Sequence, residues 1–377
     1  MFHKHMNLIL IATTTMGLEK ELSYELNKLG YTEQKIDNGR IEFTGDLEAI
    51  CKTNLWLRTA GRVMLKIGAF TAETFDELFE KTKALPWGEF IGKNDSFPVS
   101  KITAKNATLF SKSDSQAIVK KAIAESLKEY HKSTILSETG AMFEIRVQNE
   151  KNSIIMSIDT SGSGLHKRGY RENMNEAPLK ETLAAGLVML SRWKPEKETL
   201  LDPMCGTATI LVEAGMIARN MAPGLKRSFV SESWQFIPKN LWVKTREEAT
   251  AAIKKDVEYN IYGSDLDWRA LKIARENIKL AGLDDIFIQN QPLKEARSRF
   301  NVGKIITNPP YGERLETPED AEILYEEMGR VFRENFPTWD YYVLCPHEQL
   351  DKLTKLHSAK RRKLYNGGIK CHYYMYF

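Results

Sequence analysis

With 377 residues, 42% of them apolar and 10% aromatic, the chain carries enough non-polar surface for two or three cores, which excludes a disordered protein. A formal net charge of +4 permits a nucleic-acid partner without requiring one. The four cysteines, Cys51, Cys205, Cys345 and Cys371, lie far apart with no CxxC pair, so reduced thiols in a cytoplasm are expected, and neither a disulfide framework nor a structural metal.

No run of eighteen apolar residues occurs, so no membrane span is expected. The short run Leu8 to Ala12 lacks the length of a signal segment and reads as a first strand. Leu18, Leu22 and Leu26 then share one helical face, Arg40 to Phe43 reads as a strand and Leu47 to Leu57 as a helix. Val63 to Phe70 alternates like a strand. This succession predicts a small α+β unit over residues 1–65.

A second mixed unit is expected over residues 66–165. Phe97 to Ala104 reads as a strand and Ser113 to Tyr130 as an amphipathic helix. Phe143 to Val147 and Ser153 to Asp159 read as strands around a polar turn, Gln148 to Asn152. Ser161, Gly162, Ser163 and Gly164 make a linker candidate, and residues 166–174 are read as linker into a last domain, 166–377.

In that domain strands and helices alternate. Helix Leu179 to Trp193 precedes strand Thr199 to Leu201, and helix Thr209 to Arg219 follows. Strand Ile261 to Ser264 leads to helix Trp268 to Ala281, stopped by Gly282. Strands follow at Ile286 to Gln289, Lys304 to Thr307 and Tyr341 to Leu344. A hairpin from Lys363 to Phe377 turns at Asn366 to Gly368. The alternation predicts a largely parallel, doubly wound α/β sheet closed by an antiparallel strand, with ligands beyond the carboxyl ends of its strands.

Three strand ends there carry suitable chemistry. In TLLDPMCGTATI, Asp202 ends a strand, Gly206 permits close backbone approach and Thr207 to Thr209 open a helix; Asp202 could reach a cationic amino group. A P-loop is excluded by the missing Gly-Lys-Ser/Thr ending, and the plain alternative is a tight strand-to-helix turn. In IYGSDLDW, Asp265 is placed to accept ribose hydroxyls, whereas Asp267 reads as a helix N-cap. In GKIITNPPYGERL, two prolines rigidify the corner after a strand. Asn308 and the carbonyls beside Pro309 and Pro310 offer acceptors for the two N–H groups of an exocyclic amine, and Tyr311 offers a stacking face.

DPMCG, GSDLD and NPPYG in this order resemble class I S-adenosylmethionine-dependent methyltransferases. LHKRGYREN and EAPLKETLAAGL ahead of DPMCG resemble, more narrowly, the bacterial ribosomal RNA large-subunit guanine-N2 methyltransferases. The preceding region, FPVSKITAKNATLFSKSDSQAIVKKAIAESL above all, resembles their ferredoxin-like segment and THUMP RNA-binding domain. The resemblance covers essentially the whole chain. It implies a Rossmann-like domain with a mostly parallel seven-stranded sheet, S-adenosylmethionine as cofactor, S-adenosylhomocysteine as product, and RNA, ribosomal RNA in particular, as partner.

Carried over by position, Asp202, Met204, Cys205 and Gly206, with Thr207, would line the cofactor's methionine end. Asp265 and Leu266 would serve its ribose, and Pro178 and Lys180 would supply an extra cofactor motif. Asn308, Pro309, Pro310 and Tyr311 would clamp the target amine, with Asn308 also bordering the cofactor. Two departures stand out: Ala208 where the family often has a second glycine, and Gln289, Asn290 and Gln291 where many methyltransferases place an acid for the adenine amine.

Lys101, Lys105, Lys112, Lys120 and Lys121, then His166, Lys167, Arg168 and Arg171, read as phosphate contacts; a solvated surface is the alternative. Cys345 ends a strand but reads as a core residue, because an amine needs no covalent activation by a thiolate. Two other functions share these features: adenine-N6 methylation of DNA, and a non-catalytic RNA-binding assembly factor.

Overall fold

The computed structural model describes residues 7–171, 179–311 and 318–377. Its N-terminal part runs β1 (Leu8–Thr14), α1 (Glu19–Lys28), β2 (Gln34–Asp37), β3 (Arg40–Gly45), α2 (Leu47–Trp56) and β4 (Ala60–Thr71). It continues through α3 (Phe75–Lys83), β5 (Val99–Lys105), α4 (Lys112–Tyr130), β6 (Ile145–Glu150) and β7 (Ser153–Asp159). All seven strands form one sheet in the order β2-β3-β1-β4-β7-β6-β5. The expected boundary at 65/66 therefore falls inside β4. That strand pairs with β1 as far as Leu65 and with β7 from Met64 to Thr71.

Three local expectations need correction. The strand β6 continues through Gln148 to Glu150, so the turn shrinks to Lys151 and Asn152, both in left-handed conformation. β2 and α3 are elements not expected above; β2 buries no residue, and α3 buries Leu78 and Thr82. Ser161 to Gly164 is no flexible linker. Ser161 is fully buried, donating to Asn54 Oδ1 at 2.6 Å and accepting from the Val63 amide at 2.9 Å. Arg227 donates to the carbonyls of Ser163 and Gly164, 2.6 Å each, and fastens the stretch from the other side.

The C-terminal part runs α5 (Glu181–Ser191), β8 (Thr199–Asp202), α6 (Thr209–Ala218), α7 (Lys239–Ala251), β9 (Ile261–Asp265), α8 (Trp268–Ala281), β10 (Phe287–Asn290) and β11 (Gly303–Thr307). It ends with α9 (Pro318–Asn335), β12 (Asp340–Cys345), α10 (Leu350–Thr354), β13 (Lys360–Asn366) and β14 (Ile369–Tyr376). The sheet order is β10-β9-β8-β11-β12-β14-β13. Only β14 runs against its neighbours, so this is the expected mostly parallel seven-stranded sheet with one antiparallel strand. Its strand order reverses between β8 and β11, which opens a crevice at their carboxyl ends.

The two parts are not joined end to end. Phe229, Trp234, Ile237 and Trp242, from the segment between α6 and α7, belong to the N-terminal core, with Trp234 stacked on Phe143 at 4.6 Å. A buried charge cluster makes the second joint. Glu213 of α6 accepts from Arg168 Nε at 3.3 Å and from the Tyr170 hydroxyl at 3.2 Å. The Arg168 guanidinium also donates to the carbonyls of Arg58 and Leu165. Arg58 reaches from the α2–β4 loop to the Met221 carbonyl just past α6 at 2.6 Å, and its own amide is held by Glu25 at 2.7 Å.

Glu213→Gln leaves the Arg168 guanidinium buried without its counter-charge. A loss of about 3 kcal/mol in stability is expected, the scale for breaking a fully buried pair from one side. Equilibrium urea unfolding checks it; an unchanged midpoint would place the anchorage elsewhere.

Candidate active site

β8, β9 and β11 deliver their last residues to one crevice. Asp202 ends β8 with only 1% of its surface exposed and accepts the Met204 amide at 3.2 Å. Burial pushes its carboxyl from 3.8 up to about 7; the charge of Asp265 adds to this, while Thr307 and the Met204 amide oppose it. A buried carboxylate without a counter-charge is held in readiness for a cation.

The loop after β8 is shaped by backbone constraints. The Cys205 amide donates to the Ser264 carbonyl at 2.9 Å, which draws the loop onto β9. That approach requires Gly263, because a Cβ there would sit 2.4 Å from Leu211 Cδ1 and 3.1 Å from Cys205 Sγ. Ala208 caps α6 in the left-handed conformation, φ 64°, that a second glycine would adopt more easily. Gly206 has φ +53°, and a Cβ added to it would meet nothing within 4 Å, so open space lies before it. The Gly206 amide donates to Asp265 Oδ2 at 2.7 Å, so the acid ending β9 is tied to the loop after β8. Asp265 Oδ1 accepts the Asp267 amide at 2.9 Å, and burial raises this carboxyl too. Asp267 is the N-cap of α8. Leu266 is exposed beside Asp265.

At the end of β11, Asn308 Oδ1 is buried without a hydrogen-bond partner. The Pro310 carbonyl accepts from the Tyr325 hydroxyl at 3.3 Å, so that acceptor, expected to be open, is already engaged. Tyr311 packs against the core of the C-terminal sheet, and its hydroxyl accepts from Asn366 Nδ2 at 2.8 Å. Cys345 is fully buried and burial pushes its thiol up to about 11, which leaves it a core residue without nucleophilic character. Asn290 spends its amide hydrogens on the carbonyls of Asp265 and Leu266, 2.9 Å each. Gln291 donates to the Glu295 carbonyl at 2.8 Å.

The basic candidates divide. Lys101, Lys105, Lys112, Lys121 and Lys167 are exposed. Arg168 and Arg171 are not surface cations. Arg168 is paired with Glu213, and Arg171 with Glu181 at 3.2 Å and with the Thr209 hydroxyl, its side chain only 6% exposed. Lys120 is committed to Glu138 at 2.6 Å and lies 3.4 Å over the Phe97 ring. His166 is half-buried; burial, then the charges of Lys180 and Arg168, pull it down to about 4, so it is neutral at pH 7. Lys180 is exposed at the N-cap of α5, and Pro178 lies outside the described residues. Thr307, Gly263 and Asn366 were missed, for no local pattern marks a buried hydroxyl or a contact across 55 residues.

Residues 168–375 match the RMKL-like methyltransferase domain, residues 9–64 the RlmL ferredoxin-like domain and residues 72–159 the THUMP domain. The chain belongs to the RMKL-like methyltransferase family. It is 45% identical over 98% of its length, and 95% of the relative's, to YpsC of Bacillus subtilis, a candidate RNA methyltransferase. It is 32% identical to the ribosomal RNA large subunit methyltransferase K/L of Shewanella baltica, matching 97% of this chain but only 52% of that protein. The chain thus spans about half the length of the K/L relatives. Among solved structures, SMU.472, a candidate methyltransferase complexed with S-adenosylhomocysteine, superposes with a TM-score of 0.93 at 37% identity, covering 99% of this chain and 98% of that one. A Listeria monocytogenes protein described as a candidate N6-adenine-specific DNA methylase gives 0.92 at 44%, covering 99% and 96%.

The cofactor is S-adenosylmethionine. The residues fit it: a buried carboxyl at Asp202 awaits a cation, open space faces Gly206, and Asp265 is fixed at the next strand end. Because Asp202 is neutral below about pH 7, any attraction it offers the cofactor's cationic amino group would be lost on acidification. Cofactor affinity is expected to fall roughly tenfold from pH 8 to pH 6, the effect of one titrating contact. Calorimetry across that range checks it, and Asp202→Asn should bind weakly with a flat profile.

Proposed function

We propose that this chain methylates the exocyclic N2 amine of a guanine in RNA, with large-subunit ribosomal RNA as the substrate. The buried, unpartnered Asn308 Oδ1 at the corner after β11 carries the reading. An amine brings two N–H donors, and an orphaned acceptor in a rigid proline corner is what such a donor would satisfy.

When bound, S-adenosylmethionine supplies an electrophilic methyl group. Asn308 accepts one N–H of the target amine, which turns the nitrogen lone pair out of conjugation with the base and frees it as a nucleophile. Pro309 and Pro310 keep this corner from relaxing, and Tyr311 stacks on the base. The amine becomes acidic once it carries four bonds, so its proton leaves without a strong dedicated base. A paired base would first have to be flipped out of its helix.

Support for RNA comes from the THUMP match, from the names of the K/L relatives and from the exposed Lys101 and Lys105 along edge strand β5. A ribosomal substrate places the chain in the cytoplasm; among the described residues no helix is long and apolar enough to cross a membrane. The second reading, adenine-N6 methylation of DNA, is favoured by the likeness to the Listeria protein and the DNA methylase activity ascribed to it. An N6 amine would use the same clamp. Nucleoside mass spectrometry separates them: N2-methylguanosine is expected in ribosomal RNA after incubation with enzyme and cofactor, and N6-methyldeoxyadenosine in DNA would overturn the proposal. Asn308→Ala should keep cofactor affinity within about twofold and lose at least 100-fold in kcat, the scale for a removed transition-state hydrogen-bond partner. Unchanged turnover would remove Asn308 from the clamp.

A further inference from the structure

The β13–β14 hairpin brings a side chain from the end of the chain to the clamp. Its register pairs Asn366 with Ile369, which leaves Gly367 and Gly368 as the turn. Gly367 supplies the left-handed conformation, φ +61°, and a Cβ at either glycine would meet nothing within 4 Å. The turn therefore makes no demand on Asn366, which has ordinary strand geometry. Its Nδ2 donates to the Tyr311 hydroxyl at 2.8 Å. Leu364, on the same face of β13, is buried in the core against which Tyr311 packs.

We infer that Asn366 is a positioning residue for Tyr311, setting the tilt of the phenol ring so that its face meets the incoming base squarely. This rests on the reading of Asn308 to Tyr311 as the amine clamp. An aromatic ring pivots about its χ1 and χ2 torsions, and the broad χ2 well of tyrosine leaves the ring plane weakly fixed by itself. A hydrogen bond at the far end of the ring fixes it where leverage is greatest. Cys371 Sγ, 4.0 Å from the same hydroxyl on β14, borders it from the strand side. The hairpin does not depend on this contact for its place. Arg361 pairs with Asp351 at 2.6 Å, and Arg362 with Glu21 at 3.0 Å and the Gly17 carbonyl at 2.9 Å.

A double-mutant cycle tests the assignment, with methyl transfer measured on ribosomal RNA extracted from a strain lacking this chain. Tyr311→Phe and Asn366→Ala should each lower kcat roughly five- to tenfold, the worth of one ordinary hydrogen bond, with cofactor affinity unchanged. Because both remove the bond between Asn366 and the Tyr311 hydroxyl, the double variant should be no slower than Tyr311→Phe alone. Asn366→Asp, whose carboxylate accepts from the Tyr311 hydroxyl, should retain most of the rate. Multiplying losses, or a parental rate for Asn366→Ala, would overturn the inference while leaving the clamp intact. Full activity of Tyr311→Ala, or no transfer by the parent protein, would overturn the clamp reading and this inference with it.

Discussion

Helix α6 is held at both ends by groups that belong to other parts of the molecule, and the buried carboxylate of Glu213 is the centre of that restraint. Arg168 and Tyr170 converge on it, and Arg168 in turn grips the Arg58 carbonyl in the N-terminal part. One turn earlier on the same face of α6, Thr209 receives Arg171, which also pairs with Glu181 at the start of α5. Burying so many charges is costly unless each finds a partner, and here the partners come from segments distant in sequence. The helix whose first residues follow the loop after β8 therefore has little freedom to shift.

That rigidity explains how weak individual signals become one site. Asp202 and Asp265 end two strands and Asn308 follows a third, and the ladders fix their relative heights: Leu200 pairs with Ile261 and with Lys304. The amide of Gly206 on Asp265 then closes the gap between two of the strand ends. Ala208 holds a backbone conformation that favours glycine, and the fixed helix behind it supplies the restraint that keeps it there.

Much of this was legible in the sequence because strand ends are punctuated. Asp202, Asp265 and the Asn308 to Tyr311 corner follow short apolar runs and precede glycine, proline or a helix cap, all of which are local signals. What escaped was chemistry decided at a distance. Arg168 looks like a phosphate contact until Glu213, 45 residues on, is seen to claim it. Ser161 to Gly164 has linker composition, yet the partner of Ser161 is Asn54, 107 residues away. Polar side chains do not announce whether they will meet water or one another. The short strand β2, which buries none of its residues, was hidden for the complementary reason: its place is set by its neighbour β3 in the sheet.

The twelve-residue strand β4 makes the N-terminal half indivisible. A strand that pairs with β1 on one side and with β7 on the other cannot be removed without exposing a raw hydrogen-bonding edge on each. Separating the ferredoxin-like and THUMP segments of this chain would therefore break the shared sheet. A graft that preserves the fold must take both modules together, along with the stretch around Trp234 and Trp242 that completes their core from within the methyltransferase sequence.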